Sequence, residues 1–445
     1  MAKRTEKQPA GRSLTKLNMT VLVTLPFMGA LTFWQAYDGL VPLMFKNTFG
    51  MGDTLTGVFM SLDNVLALFM LPLMGALSDR TTTRWGRRTP FIVVGALLAA
   101  ALAPLIAVAN SMHNLPLFVT VLIATLVVLS VYRSPSVALM PDVTPRPVRS
   151  KADAFNSLMA AVGGVIVLVA ISLLVPAVEN PDYVPVYLVI SFMLLVTTVI
   201  FMIFFREPRE VEAMHRESAE LGIPEDEIDA SDEGGKERET DPVKRRSLVC
   251  VLVCVFFYFM SNNAVTSGIS RYADVVWGMA GGSYAQVQTV ATLAAIVAYM
   301  PMADLSCRIG RKRTTFIGIA LMVVAPLLIS GASGFSAIIY VWVALFGIGM
   351  ATVSLTVYPM IMELASANST GRYTGFYYTA SMSAQVVTPI LSGAVMQFVG
   401  YQYLYIYVAV CAAISAVPLL FVKNADSLTM DEVRERQAAA EKSEG

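Results

Sequence analysis

The sequence is poor in the residues that enzymes and binding modules use for chemistry. Only two histidines occur, His113 and His215, both in polar or turn-like segments. A Ser-His-Asp hydrolase and a histidine proton relay inside a membrane therefore have no histidine to work with. The four cysteines, Cys250, Cys254, Cys307 and Cys411, lie in or at the ends of apolar runs and form no CxxC pair. Neither a disulfide framework nor a zinc cluster is indicated, and no metal or cofactor is expected. Charge is scarce too: 14% of residues are Asp, Glu, Lys or Arg, against roughly 25% in soluble domains. The 32 Lys and Arg are cancelled by 32 Asp and Glu, which leaves none of the basic excess that a nucleic-acid partner would require.

What the chain has in quantity is apolar surface. Of 445 residues, 56% are hydrophobic, and at ~20 apolar residues per bilayer crossing this corresponds to about twelve crossings. Apolar stretches run over residues 17–44, 54–77, 90–109, 115–140, 154–178 and 183–205. After a polar interval they resume at 248–270, 283–303, 315–333, 336–362, 373–399 and 402–422. Continuous runs of this length predict helices, since membrane strands show ~10-residue alternating segments. The expected fold is an all-α membrane protein of twelve transmembrane helices in two six-helix bundles. Its parts are a tail at 1–16, a bundle at 17–205, a linker at 206–246, a bundle at 247–422 and a tail at 423–445. The linker contains EDEIDASDEGGKERETD, acidic and without aromatics, a composition expected to stay flexible.

The distribution of basic residues orients the chain. With the amino terminus inside, 29 of the 32 Lys and Arg fall on inner segments, the others being Lys46, Arg133 and Arg271. Both termini are accordingly expected in the cytoplasm of a multi-pass plasma-membrane protein, of the bacterial inner-membrane kind.

An internal repeat follows the second and eighth stretches. PLMGALSDRTTTRWGRRTPF and PMADLSCRIGRKRTTF each place an Asp near a helix end, then a Gly, then a basic pair: Asp79 with Arg87 and Arg88, and Asp304 with Arg311 and Lys312. A second matched pair, Asp142 with Arg149 and Glu363 with Arg372, follows the fourth and tenth stretches. Such charges serve either as solvated positive-inside loops or as a cytoplasmic gate of salt bridges that break and reform as the two halves rock.

Six plus six helices, a charged linker and the duplicated Asp-Gly-Arg-Arg loop resemble the major facilitator superfamily. GALSDRTTTRWGRRTPF and SVALMPDVTP are similar to the branch of glycoside-pentoside-hexuronide:cation and sucrose:proton symporters. The resemblance implies pseudo-two-fold symmetry and alternating-access uptake of a sugar with a cation. It also exposes a departure. The second-helix positions where melibiose-type members carry cation-binding Asp residues are Ala67 and Leu71, and the fourth-helix acidic position falls at Leu126 to Leu129. Proton coupling is therefore expected rather than sodium.

An ionisable group at a helix centre costs about 2.5 to 3.5 kcal/mol, so each invites a functional role. Three lie well inside the crossings: Asp38, Asp63 and Arg133. Burial favours the neutral acid at Asp63 and a nearby arginine favours the carboxylate, so relative movement would load and release a proton. Asp63 is about 12 Å from Arg133 along the normal, so direct pairing requires tilt or a bridging water. Trp34, Gln35 and Asp38 share a helix face suited to a sugar, with an aromatic plane beside a carboxylate and an amide. An interfacial tryptophan near the outer mouth would look the same. Arg271, near the outer end of its helix, is read as snorkelling.

In the second half, Asn262, Asn263, Thr266 and Ser267, with Tyr377 and Gln385, supply amides, hydroxyls and aromatics. These suit a polyol and equally suit interhelical hydrogen bonds. The sequence thus predicts a monomeric sugar symporter in which Asp63, Asp38 and Arg133 carry coupling. Trp34, Gln35, Asp38, Asn64, Arg133, Asn262, Asn263, Ser267, Tyr377 and Gln385 form its substrate site, and its partners are a small-molecule sugar and membrane lipid. The alternatives are a carrier for a lipid, drug or organic anion, or sodium-coupled sugar symport. A polytopic enzyme is disfavoured for want of a nucleophile-histidine set.

Overall fold

The computed structural model describes residues 17–144, 149–178, 180–220, 242–332, 334–364 and 370–422. The two expected tails and residues 221–241 of the linker lie outside the described residues. Twelve helices are long and apolar enough to cross a membrane. The first six are α1 (Leu17–Leu43, continued by a wider turn Met44–Thr48), α2 (Asp53–Arg80), α3 (Thr89–Ser111), α4 (Leu115–Asp142), α5 (Arg149–Leu174) and α6 (Val184–Phe204). A shorter helix, α7 (Glu207–Glu220), precedes α8 (Pro242–Val276), α9 (Tyr284–Ile309), α10 (Arg311–Ser330), α11 (Ile338–Leu364), α12 (Thr370–Ala394) and α13 (Leu404–Leu420). Most of the long helices carry an interior proline, for example Pro26, Pro104, Pro301 and Pro389. Membrane helices tolerate this because neighbouring helices re-satisfy the freed backbone groups.

The two sets of six pack alike. In the first, α3 lies against α4 and α6, α1 against α4, α5 and α6, and α2 against α4; in the second, α10 lies against α11 and α13, α8 against α11, α12 and α13, and α9 against α11. Each first-half pair has its second-half counterpart. The repeat seen in the loops thus extends to helix packing, and the protein has two six-helix bundles related by a pseudo-two-fold axis.

One face carries the loops rich in arginine and lysine, at 80–88 and 308–313; it is called the basic face here, and the other the opposite face. The linker differs from expectation at its start. Glu207–Glu220 is helical, and Glu207 is buried at 2% exposure. Its carboxylate accepts hydrogen bonds from the backbone N–H groups of Arg87, Arg88 and Thr89 and from the Thr89 hydroxyl, at 2.7–3.0 Å. These are the unsatisfied donors of the α3 N-terminus, where a negative charge is stabilised. Composition misleads here because it does not register the burial of one acid at the start of the segment. Gly86 has φ 113, and a Cβ there would meet the Glu207 carboxyl carbon at 2.3 Å, so only glycine fits the loop beneath it.

The bundles meet closely near the opposite face. A Cβ on Gly57 of α2 would lie 2.1 Å from the Pro389 carbonyl oxygen of α12, and one on Gly393 would lie 2.3 Å from the Asp53 carbonyl oxygen. Helix α5 approaches α9 at the same level, where Gly281 and Gly282 meet the backbone of Pro176 and Ile171. Small residues allow such backbone contact in lipid.

Candidate functional site

Between the bundles lies a polar cavity of about 210 Å³. Of the sequence-predicted site residues, Trp34, Asp38, Asp63, Asn64, Arg133, Asn262, Asn263, Ser267 and Gln385 line it. They come from α1, α2 and α4 in one bundle and α8 and α12 in the other, so the cavity belongs to neither alone. Phe259 and Thr266 also line it. Two predicted residues do not. Gln35 is rotated toward α5, its Oε1 3.3 Å from where a Gly164 Cβ would sit. Its neighbours Trp34 and Asp38, four apart, keep the face toward the cavity. Tyr377 packs in an aromatic cluster, its ring 5.1 Å from Tyr358, 5.5 Å from Tyr378 and 6.2 Å from Phe259.

Local structure fixes the aim of the central groups. Arg133 sits between Tyr132, whose hydroxyl donates to the Pro26 carbonyl of α1, and Ser134, whose hydroxyl donates to the Leu71 carbonyl of α2 at 2.9 Å. Helix α4 is thereby tied to two neighbours on either side of the arginine. The Arg133 guanidinium lies 4.8 Å from the centre of the Trp34 ring, a cation–π contact. Asp63 accepts a hydrogen bond from Asn64 at 2.8 Å. No ion pair joins Arg133 to Asp63 or Asp38 among the described residues. With both acids ionised the cavity carries one net negative charge, and its guanidinium and carboxylates keep hydrogen-bonding capacity for a guest. The Ser267 hydroxyl instead donates to the Asn263 carbonyl at 2.8 Å, and Gln385 Nε2 to the Ser381 carbonyl at 3.3 Å. Among the described residues no group of three or more His, Cys, Asp or Glu could hold a metal ion.

The polar closure between the bundles was not foreseen. Arg271, expected to snorkel, is fully buried: its Nη1 lies 2.8 Å from Asp53 Oδ1, and its Nη2 donates to the Ser267 carbonyl at 3.2 Å. Tyr401 donates to the other Asp53 oxygen. Lys46 pairs with Asp274 at 2.7 Å and lies over the Tyr401 ring. Gln397 accepts from the Thr54 backbone N–H at 2.9 Å, covering the start of α2. These contacts bridge the bundles on the opposite face. Their partners lie hundreds of positions apart, so no local pattern announces them.

At the basic face the ion pairs seen among the described residues each lie within one bundle. Arg88 contacts Asp79 at 2.6 Å and Asp142 at 3.0 Å, and Arg87 reaches Asp142 at 3.8 Å. Arg311 pairs with Glu363 at 3.1 Å. The expected pairings shift accordingly. Asp142 is held by Arg88, while Arg149 begins α5 with its side chain outside the described residues. Glu363 is held by Arg311, and Arg372 lies against the Phe376 ring at 5.4 Å. Asp304 is exposed and makes no ion pair among the described residues. Short loops join helices of the same bundle, and so bring together charges of that bundle.

Tyr378, two helical turns from Gln385 on the same α12 face, is 52% exposed. Toward the opposite face the cavity is closed by the Asp53–Arg271 and Lys46–Asp274 contacts, whereas Tyr378 lies on its basic-face side.

Residues 23–418 match the model of the MFS/sugar transport protein family. The chain belongs to that family. No curated protein sequence matches it. Among solved structures, the inward-open xylose transporter XylE of E. coli is similar at 14% identity and TM-score 0.66, over 94% of this chain and 99% of that one. The nucleoside transporter NupG is similar at 11% identity and TM-score 0.67, over 91% and 100%. A POT family transporter bound to a thioalcohol-conjugated peptide is similar at 12% identity and TM-score 0.69, over 91% and 96%. At these identities the likeness is one of fold. Family and fold together make this MFS protein a multi-pass secondary transporter with a small-molecule substrate.

Proposed function

We propose that this MFS protein takes up a sugar, a glycoside or disaccharide, together with a proton. The observation that carries the reading is the cavity itself: an aromatic ring under a guanidinium, two carboxylates that form no ion pair among the described residues and two asparagines, gathered in about 210 Å³ between the bundles. Its lining of charged, amide and hydroxyl side chains favours a polar solute over a lipid or drug. Sugar hydroxyls need such mixed donors and acceptors, while the C–H face of the ring packs on indole.

Coupling follows from the charge count. Asp38, Asp63 and Arg133 sum to one negative charge, and a single proton neutralises the cavity before it crosses a low-dielectric barrier. The absence of acids at Ala67 and Leu71 supports a proton over sodium. With the basic face assigned to the cytoplasm by the positive-inside rule, the conformation described is inward-facing, and the Asp53–Arg271 and Lys46–Asp274 pairs form its outer gate.

A second reading, an anionic solute, is favoured by Arg133, which lines the cavity and forms no ion pair among the described residues. The test is uptake into proteoliposomes of neutral sugars, sugar acids and organic anions under imposed proton or sodium gradients. Saturable sugar accumulation driven by an inward proton gradient is expected. Flux restricted to organic anions, or driven by sodium alone, would overturn the proposal.

A further inference from the structure

On the outside of the first bundle, α3 and α4 part around a cleft of about 310 Å³, lined by Pro90, Phe91, Val94, Leu98, Val127 and Val131 among other apolar residues. Val94 and Leu98 are 55% and 48% exposed, so the cleft opens sideways to the surroundings of the bundle, which in a membrane is lipid. It begins in the first turn of α3 at the basic face and runs about 12 Å inward at 1.5 Å per residue. At its floor Gly95 lets α3 press on α4, since a Cβ there would meet Tyr132 Cβ at 2.7 Å.

The loop that leads into this helix carries more positive charge than its own acids balance. Arg88 has engaged Asp79 and Asp142, and Glu207 has engaged the α3 N-terminus. Arg80 and Arg84 have no carboxylate partner among the described residues. Arg87 reaches only the Asp142 oxygen already shared with Arg88, at 3.8 Å, and its side chain is 46% exposed. Arg84 stacks 5.6 Å from the Trp85 ring, and Trp85 is itself exposed. Tryptophan with arginine at the end of a membrane helix is the composition of the headgroup layer. An uncompensated basic cluster there attracts anionic lipid.

We propose that the α3–α4 cleft binds one anionic phospholipid, its phosphate held by Arg84 and Arg87 and one acyl chain lying along Phe91, Val94 and Leu98. Arginine forks suit the phosphate oxygens, and the cleft removes the chain from no water, so its contribution is shape: methylene contacts where a poorly fitting bulk lipid would leave gaps. This site is independent of the transported solute. The bound lipid stands against the loop that joins α2 to α3, and thereby against the Asp79–Arg88–Asp142 cluster.

The full chain in detergent, given phosphatidylglycerol or phosphatidylcholine of identical chains, tests the proposal by native mass spectrometry. Phosphatidylglycerol should be retained about thirtyfold more than phosphatidylcholine, the size expected of two arginines near a charged headgroup. The Arg84→Gln, Arg87→Gln double variant should abolish that preference, and Val94→Trp, which fills the cleft, should lower retention of both lipids. Equal retention of the two lipids by the unaltered protein would overturn the proposal. So would retention of phosphatidylglycerol that Val94→Trp leaves undiminished, because the loop would then bind phosphate without the cleft. Leu98→Phe, a smaller change on the same wall, serves if Val94→Trp does not fold.

Discussion

Asp38, Asp63 and Arg133 stand out because charge is costly inside a membrane, and all three line the cavity between the bundles. Hydropathy finds such residues because the cost is paid locally, whatever the neighbours are. It does not find their mates. Arg271 lies on the same kind of run yet is fully buried against Asp53, and Gln35, one residue from Trp34, faces α5 instead of the cavity. The proposed role of Asp63 has a direct test. Asp63→Asn keeps size and hydrogen bonding but cannot ionise, so proton-driven uphill uptake in proteoliposomes should be lost while exchange of labelled for unlabelled substrate persists. Undiminished pH-driven accumulation would remove Asp63 from the coupling scheme.

At the scale of elements, the twelve crossings were legible because length and apolarity are properties of each segment alone. The predicted stretches differ from the helices by a few residues at most ends, and α8 starts earlier, at Pro242. Helix α7 was not legible. Its polar composition is that of a solvated linker, and what docks its start is Glu207 meeting three backbone N–H groups of the 87–89 turn. Glu207→Ala removes the anion from the α3 N-terminus and leaves buried donors unpaired, at a cost of about 1–3 kcal/mol. A lower melting temperature of the detergent-solubilised protein should report it, with Glu207→Gln intermediate because its amide oxygen still accepts. Equal melting of all three proteins would show that the loop is held by Arg88 and its carboxylates instead.

For the whole molecule, the balance between two arrangements of the bundles is what transport requires, and the contacts that hold one of them are on the opposite face. Breaking a buried ion pair by removing one partner costs about 3–5 kcal/mol, because the remaining charge is stranded. Asp53→Asn strands Arg271 only where the bundles are closed on that face, so the population should shift toward the arrangement that is open there. Spin labels placed across the opposite face should show a longer-distance population in Asp53→Asn than in the unaltered protein. An unchanged distribution would mean that the backbone contacts at Gly57 and Gly393 hold the closure without the ion pair. The sequence by itself determined the number of crossings, the duplication and the sidedness of charge, since each follows from the free energy of moving one segment between water and lipid. The tertiary structure alone decided which face is closed, which arginine is buried, and that two acids, one arginine and two asparagines share a cavity. Those outcomes depend on helix rotation and on partners far apart in the chain, whose pairing energy exists only once the two bundles have met.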